Sequence, residues 1–289
     1  MHVSNVMKVI PLIGVCILST LLSACGSVGN VLGITKGSGN VKTETRQVSG
    51  ISAVQLDTSG DLTVSQGETE SLTIEAEDNL LPLLTSDVTN GVLKLDTKPN
   101  TSISATKPIK YTLVVKDLNA ITDNGSGTIT ANDLNLSHAL SITGNGSGNI
   151  AIANVQSGDA QLKLSGSGSL SVTSIKSDKV SIDISGSGSA SIPTVTAQSF
   201  SAKLTGNGSL EVGGTTTDQT ITISGSGKYD GEKLASKTAI VKTDGSGGAT
   251  VQVSDTLDAS TSGSGSITYI GNPTVTQKSS GSGKVTQKS

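Results

Sequence analysis

A Gly-Ser-Gly or Gly-Asn-Gly triplet recurs through this 289-residue chain, with its first glycine at Gly125, Gly146, Gly166, Gly186, Gly206, Gly225, Gly245, Gly263 and Gly281. Successive intervals are 21, 20, 20, 20, 19, 20, 18 and 18 residues. A fixed period near 20 marks a solenoid, in which each repeat buries its apolar side only by stacking on its neighbours. The run Gly144-Asn145-Gly146-Ser147-Gly148 offers two registers, which allows a two-residue insertion in one rung.

The flanks of the triplet decide between strand and helix. Counting from its first glycine, Ile142, Leu162, Ile182, Ala202, Ile221, Val241 and Ala259 lie four residues before. Leu164, Ile184, Leu204 and Ile223 lie two before, Ile150, Leu170, Leu210 and Ile267 four after, and Ile152, Val172, Ile192 and Val212 six after. All these offsets are even, so the apolar residues share one face of a strand, which a period of 3.6 cannot reproduce. The pattern predicts an all-β, single-stranded parallel β-solenoid with about 20 residues per rung. At about 4.8 Å per rung, nine rungs make a rod roughly 40 Å long. Both triplet glycines share the inward parity, and the expectation is a narrow corner where the chain nears the opposite wall. The central Ser or Asn should then stack into an outer ladder. Residues 46–124 read as less regular rungs, and Gln277, Ser279 and Gln287 replace apolar positions at the far end, as an edge open to water requires.

Composition narrows the chemistry. The chain has no Trp, one Phe and three Tyr, so its core is aliphatic. Arg46 is the single arginine and the net charge is −3, which excludes the clustered cations of a nucleic-acid binder. A phosphate-cradling loop needs a helix after its glycines, and calcium-binding nonapeptide repeats need a nine-residue period with an aspartate ladder. Neither is present. No cofactor or metal site is expected: His138 is the single histidine after His2, and both cysteines precede residue 26. Glu75, Glu77 and Asp78 form the one acidic cluster resembling a glycosidase pair, but Leu72, Ile74 and Ala76 supply the inward set, which assigns these acids to a solvated outer face. Lys163, Lys176, Lys179 and Lys203 read as scattered, without the basic cluster of a polysaccharide lyase.

The first residues read as an address. Val9–Leu22 is an apolar run broken by Pro11 and Gly14, too short for a stable span. It ends in Leu22-Ser23-Ala24-Cys25, which resembles the lipobox of bacterial lipoproteins. That resemblance implies cleavage after residue 24 and acylation of Cys25, anchoring the chain in a membrane. Gly26 rather than Asp at the next position leans toward the outer membrane. Residues 25–45 are expected to be the lipidated cysteine and a flexible tether, and 46–289 the solenoid.

A wider resemblance rests on Ile51–Asp61, Leu72-Thr-Ile-Glu-Ala-Glu-Asp-Asn-Leu-Leu-Pro82, Asn90-Gly-Val-Leu-Lys-Leu95, and Asp117-Leu-Asn-Ala-Ile121 followed by Asn124-Gly-Ser-Gly127. Together these resemble the head GIN domain family of auto-transporter adhesins over about residues 46–285. The resemblance implies a right-handed parallel β-helix on a secreted or lipid-anchored bacterial protein, and no catalytic residues. After the last triplet only a short polar rung remains, so self-translocation through a barrel is not expected. The reading that follows is a non-enzymatic, lipid-anchored envelope protein whose rod binds a large ligand: glycan, matrix or another envelope protein. Two others stay open. One is a periplasmic structural or envelope-stress module without external ligand; the other is a polysaccharide-active β-helix enzyme.

Overall fold

The computed structural model describes residues 33–288, so Cys25 and the signal segment lie outside the described residues. From Ala120 onward the chain climbs as a parallel β-solenoid of about eight turns, about 20 residues apart. Asp159–Leu164 pairs in parallel with Lys179–Ile184, each residue opposite the one 20 later, and Ser169–Lys176 continues onto the strand beginning at Ser189 in the same way. Even positions point inward: Ala160, Leu162 and Leu164 are buried, as are Leu170 and Val172 in the next strand. Columns of Ile, Leu, Val and Ala fill the rod. Hydrogen bonds between rungs run along its axis.

The alternation does not persist through a whole rung. After Ile152 and Val172 the parity slips by one, so that Val155, Ile175 and Val195 are the next buried residues. Each slip bends the strand, dividing a rung into three sides. We call the strand before the triplet side A, the strand after it side B, and the short stretch after the slip side C. The column Leu134, Val155, Ile175, Val195 sits at an odd offset from the glycines, outside the even-offset pattern of the sequence.

The registers also place the irregular spacings. Gly146 aligns with the flanking triplets, because a side chain there would strike the Gly125 carbonyl, as one at Gly166 would strike that of Gly146. Asn135 pairs with Gln156 but Leu140 with Ala160, so four residues (136–139) stand against three (157–159). The extra rung length is therefore one residue in a turn, not a two-residue insertion at the triplet. Later length changes fall mainly at the bend between sides B and C. Ile192 pairs with Val212 but Val195 with Gly214, and Gly231 with Val251 but Ala235 with Gln252. One more falls between side C and the next side A, where Ser236 pairs with Val253 but Thr238 with Thr256.

The N-terminal end is built differently. In chain order its strands are β1 (Ile34–Lys36), β2 (Val41–Arg46), β3 (Ala53–Leu56), β4 (Asp61–Gln66), β5 (Ser71–Glu77), β6 (Leu84–Thr89), β7 (Val92–Thr97), β8 (Ser102–Ser104) and β9 (Lys110–Val115). β3 and β4 form the first rung beneath the regular stack, pairing in parallel with Ala120–Asp123 and Thr128–Ala131. β7 and β9 continue below them, while β6, β5 and β2 add antiparallel strands. Asn90 at φ 51° and Gly91 at φ 80° make the tight turn between β6 and β7, as Asn-Gly favours. Within residues 34–45, expected as tether, β1 instead pairs with β8, and β2, which runs on to Arg46, pairs with β5.

The other end closes with polar groups at inward positions. Ser279 Oγ donates to the Gly283 carbonyl at 2.9 Å and lies 3.0 Å from Thr261 Oγ1. Gln287 Nε2 donates to the Gly271 carbonyl at 2.7 Å. Side chains replace the rung that would otherwise satisfy these groups.

Candidate binding surfaces

The triplets build the corner between sides A and B. The central residue is exposed at every corner, and the second glycine is buried at all but the last. The first glycine is not inward: it sits on the bend, half-exposed at six corners and exposed at Gly225, Gly263 and Gly281. What excludes a side chain is the rung below rather than the opposite wall. At Gly206, Gly225, Gly245, Gly263 and Gly281 a Cβ would lie 2.5 to 2.9 Å from the carbonyl oxygen of the preceding corner glycine. That carbonyl accepts the next rung's backbone N–H, as in Ser246 to Gly225 and Ser264 to Gly245, both 2.9 Å. From Gly206 onward the first glycine also takes φ between 97° and 119°, a region closed to side chains. Tight axial stacking thus sets Ser126, Ser147, Ser167, Ser187, Asn207, Ser226, Ser246, Ser264 and Ser282 in an outer ladder.

Side B carries a run of short hydroxyl side chains. Its outward positions over three rungs are Ser169 and Ser171, Ser189 and Ser191, and Ser209, stacked in register. Short side chains leave a shallow trough of about 430 Å³, closed at one end by Glu211, Lys228 and Asp230. Glu211 stacks directly on Asp230, an unfavourable like-charge placement. Lys233 at 3.6 Å from Glu211 and Lys228 at 3.8 Å from Asp230 offset it.

Side A shows the opposite habit. The register places Lys163, Asp183, Lys203, Thr222, Lys242, Ser260 and Lys278 in one column, so Lys163 and Lys203 are aligned rather than scattered. Asp183 separates the first two lysines, and in the neighbouring column Asp159 stacks on Lys179. Opposite charges alternate from Lys163 to Lys203, which favours the native register there, and beyond it the neutral Thr222 and Ser260 space Lys203, Lys242 and Lys278 two rungs apart.

The acidic run of the sequence has a role that strand parity did not reveal. Glu77 is fully buried, not solvated. Its carboxylate accepts from the Thr106 hydroxyl at 2.5 Å and from the N–H groups of Gly39 at 2.6 Å, Thr106 at 2.8 Å and Lys107 at 3.3 Å. Led by the Thr106 hydroxyl bond, and against the cost of burial, these donors hold its pKa down at about 2. Asp78 accepts from Ser38 Oγ at 2.6 Å, and the Asn79 side chain bonds Ser38 N–H and the Lys36 carbonyl. Leu80 and Leu81 are buried beneath, and Pro82 lies in the 3-10 turn Leu81–Leu83. The segment Glu77–Pro82 therefore clips residues 36–39 to the cap. Arg46 donates to the carbonyls of Leu81 and Leu84 at 3.0 and 2.9 Å, closing that turn. A carboxylate so bound stays ionised and is shut off from any substrate, so Glu75 and Glu77 do not make the two accessible carboxylates of a glycosidase. Glu75 pairs instead with Lys110 at 3.1 Å.

His138 lies in the one-residue-longer turn, half-exposed. Its ring bonds the Ala139 carbonyl at 3.0 Å and Asp117 at 2.7 Å, and these two contacts raise its pKa.

The family model described as "Putative auto-transporter adhesin, head GIN domain" matches residues 50–174 and again 160–273. No curated protein sequence matches the chain. Among solved structures, a putative adhesin from Parabacteroides merdae is 25% identical, with a TM-score of 0.72 over 89% of this chain and 100% of its own. A putative adhesin from Parabacteroides distasonis is 24% identical, with a TM-score of 0.70 over 88% of this chain and 100% of its own. A putative lipid binding protein from the same species is 23% identical, with a TM-score of 0.65 over 89% of this chain and 100% of its own. The last two show a shared fold. With the family model spanning the cap and most of the rungs, the chain belongs to the head GIN domain family.

Proposed function

We propose that this chain is a non-catalytic, lipid-anchored protein of the bacterial outer membrane whose rod is an adhesin-like binding surface for a large ligand. In this reading residues 1–24 are a signal peptide, Cys25 carries the lipid, and the short stretch to residue 33 links it to the capped end. The nine corner glycines are structural. The observation that carries the binding role is the side B trough, where small hydroxyls repeat in register over consecutive rungs. Such a lattice suits many weak hydrogen bonds in parallel, so that valency supplies the strength. A glycan, matrix or envelope-protein ligand meets that description. Family membership and the adhesin neighbour from Parabacteroides merdae support the same class.

Protease shaving of intact cells, with lysed cells as control, tests the location. Loss of the rod from intact cells is expected. Protection until lysis would replace the adhesin reading with a periplasmic structural module. Cys25→Ser should move the protein from the membrane to the soluble fraction, and unchanged membrane association would overturn the anchor.

A further inference from the structure

The antiparallel sheet at the capped end terminates at β2. Among the described residues its one ladder partner is β5, with Val41 opposite Glu77 and Arg46 opposite Leu72. One step further in the same register, Asp78 N–H donates to the Asn40 carbonyl at 2.8 Å. Antiparallel ladders alternate, so even-numbered residues of β2 turn their backbone groups toward β5. Val41, Thr43 and Thr45 therefore turn N–H and C=O outward.

Two other free edges among the described residues carry charged side chains. Arg46 lies over β6, donating to the Leu84 carbonyl and to Ser86 Oγ at 2.9 and 3.2 Å. The last rung carries Lys278 and Lys284, exposed cations of the kind that disfavour edge-to-edge pairing. β2 is the reverse, because Lys42 and Glu44 flank Thr43 and are complementary to themselves. Among the described residues, two of the three exposed large apolar side chains, Ile34 and Val41, also lie on this N-terminal segment.

We propose that two copies of this chain pair through β2, antiparallel, about a two-fold axis at Thr43. Sliding the strands by one step either way would oppose Lys42 to Lys42 or Glu44 to Glu44. The register centred on Thr43 opposes Lys42 to the second copy's Glu44, twice. It makes Thr43–Thr43 and Val41–Thr45 hydrogen-bonded pairs. The charge pair falls at the narrow, non-hydrogen-bonded position, where side chains approach most closely. This is a closed, isologous contact. Lys42 already lies 3.6 Å from Asp78, and Glu44 accepts from Arg46 Nε at 2.9 Å, but both side chains are exposed enough to bridge. The pairing adds a second contact to the molecule without using the side B trough.

Sedimentation of the purified chain over its soluble range is expected to show a monomer–dimer equilibrium. Thr43→Pro removes an outward N–H that β5 does not use, and should abolish the dimer while leaving thermal unfolding unchanged. Thr43→Cys should give a disulfide across the axis, since Cα atoms of such a pair sit about 5.5 Å apart; the 43–43 peptide identifies it. Lys42→Glu should weaken association roughly tenfold, and the double reversal Lys42→Glu with Glu44→Lys should restore it. A monomer at every concentration, a dimer indifferent to Thr43→Pro, or a double reversal no better than Lys42→Glu would each overturn the proposal.

Discussion

At Gly186 the corner leaves no room for a Cβ, which would lie 2.7 Å from the Ser165 carbonyl oxygen and closer still to that of Gly166. Gly186→Val is expected to destabilise the rod by about 3 kcal/mol or more, read as a lowered denaturation midpoint. A variant as stable as the parent would mean that the stacked carbonyls yield. Glu77 gives a pH signature. Its pKa is about 2 in the folded chain against an ordinary 4.5. Its stabilisation is therefore complete above the unfolded value and is lost as pH falls from about 4.5 toward 2. Lower protection factors for the Gly39 and Thr106 amides in that window, after correction for the intrinsic pH dependence of exchange, and at neutral pH in Glu77→Gln, are the expected outcome. The sequence made the triplet legible as a corner because glycine reports backbone crowding directly. It did not show Glu77 as buried. The partners of that carboxylate lie 38 and 29 residues away, and strand parity counts only neighbours.

At the scale of elements, even-offset alternation gave sides A and B, because each is a strand with one face in the core. Side C was hidden by the parity slip, although Leu134, Val155, Ile175 and Val195 repeat at a fixed distance from the glycines and could have been found by that offset alone. The lysine column was likewise invisible until the register was known. One element carries a cost: Gln219 is buried between Phe200 and Ala239 in its column. Its Oε1 accepts from Tyr229 at 3.3 Å, but its Nε2 has no partner. Replacing the pair together, Gln219→Leu with Tyr229→Phe, removes an orphaned donor without creating another. That double variant is expected to gain about 1–3 kcal/mol in chemical denaturation. Gln219→Leu alone leaves the phenol unpaired and should gain less.

Over the whole molecule, stability comes from stacking between neighbours, and each end needs its own closure. Ending the chain after Gly271 would uncover Leu257 and Ala259, now buried under the last rung. Such a truncation should aggregate, measured by light scattering, while the full chain stays soluble. The capped end was the least legible part of the sequence, because its antiparallel strands break the period on which the reading depended. The taper of the rod has a practical side. Rungs shorten from 20 to 18 residues near the far end, and the largest length change occurs at the bend between sides B and C, where residues 232–234 stand without partners in the following strand. That bend tolerates sequence of variable length while the corner and both long sides keep their register. It is thus a graft point: a foreign loop inserted there would ride on the flank of an undisturbed rod, and the scaffold could carry one such cargo per turn.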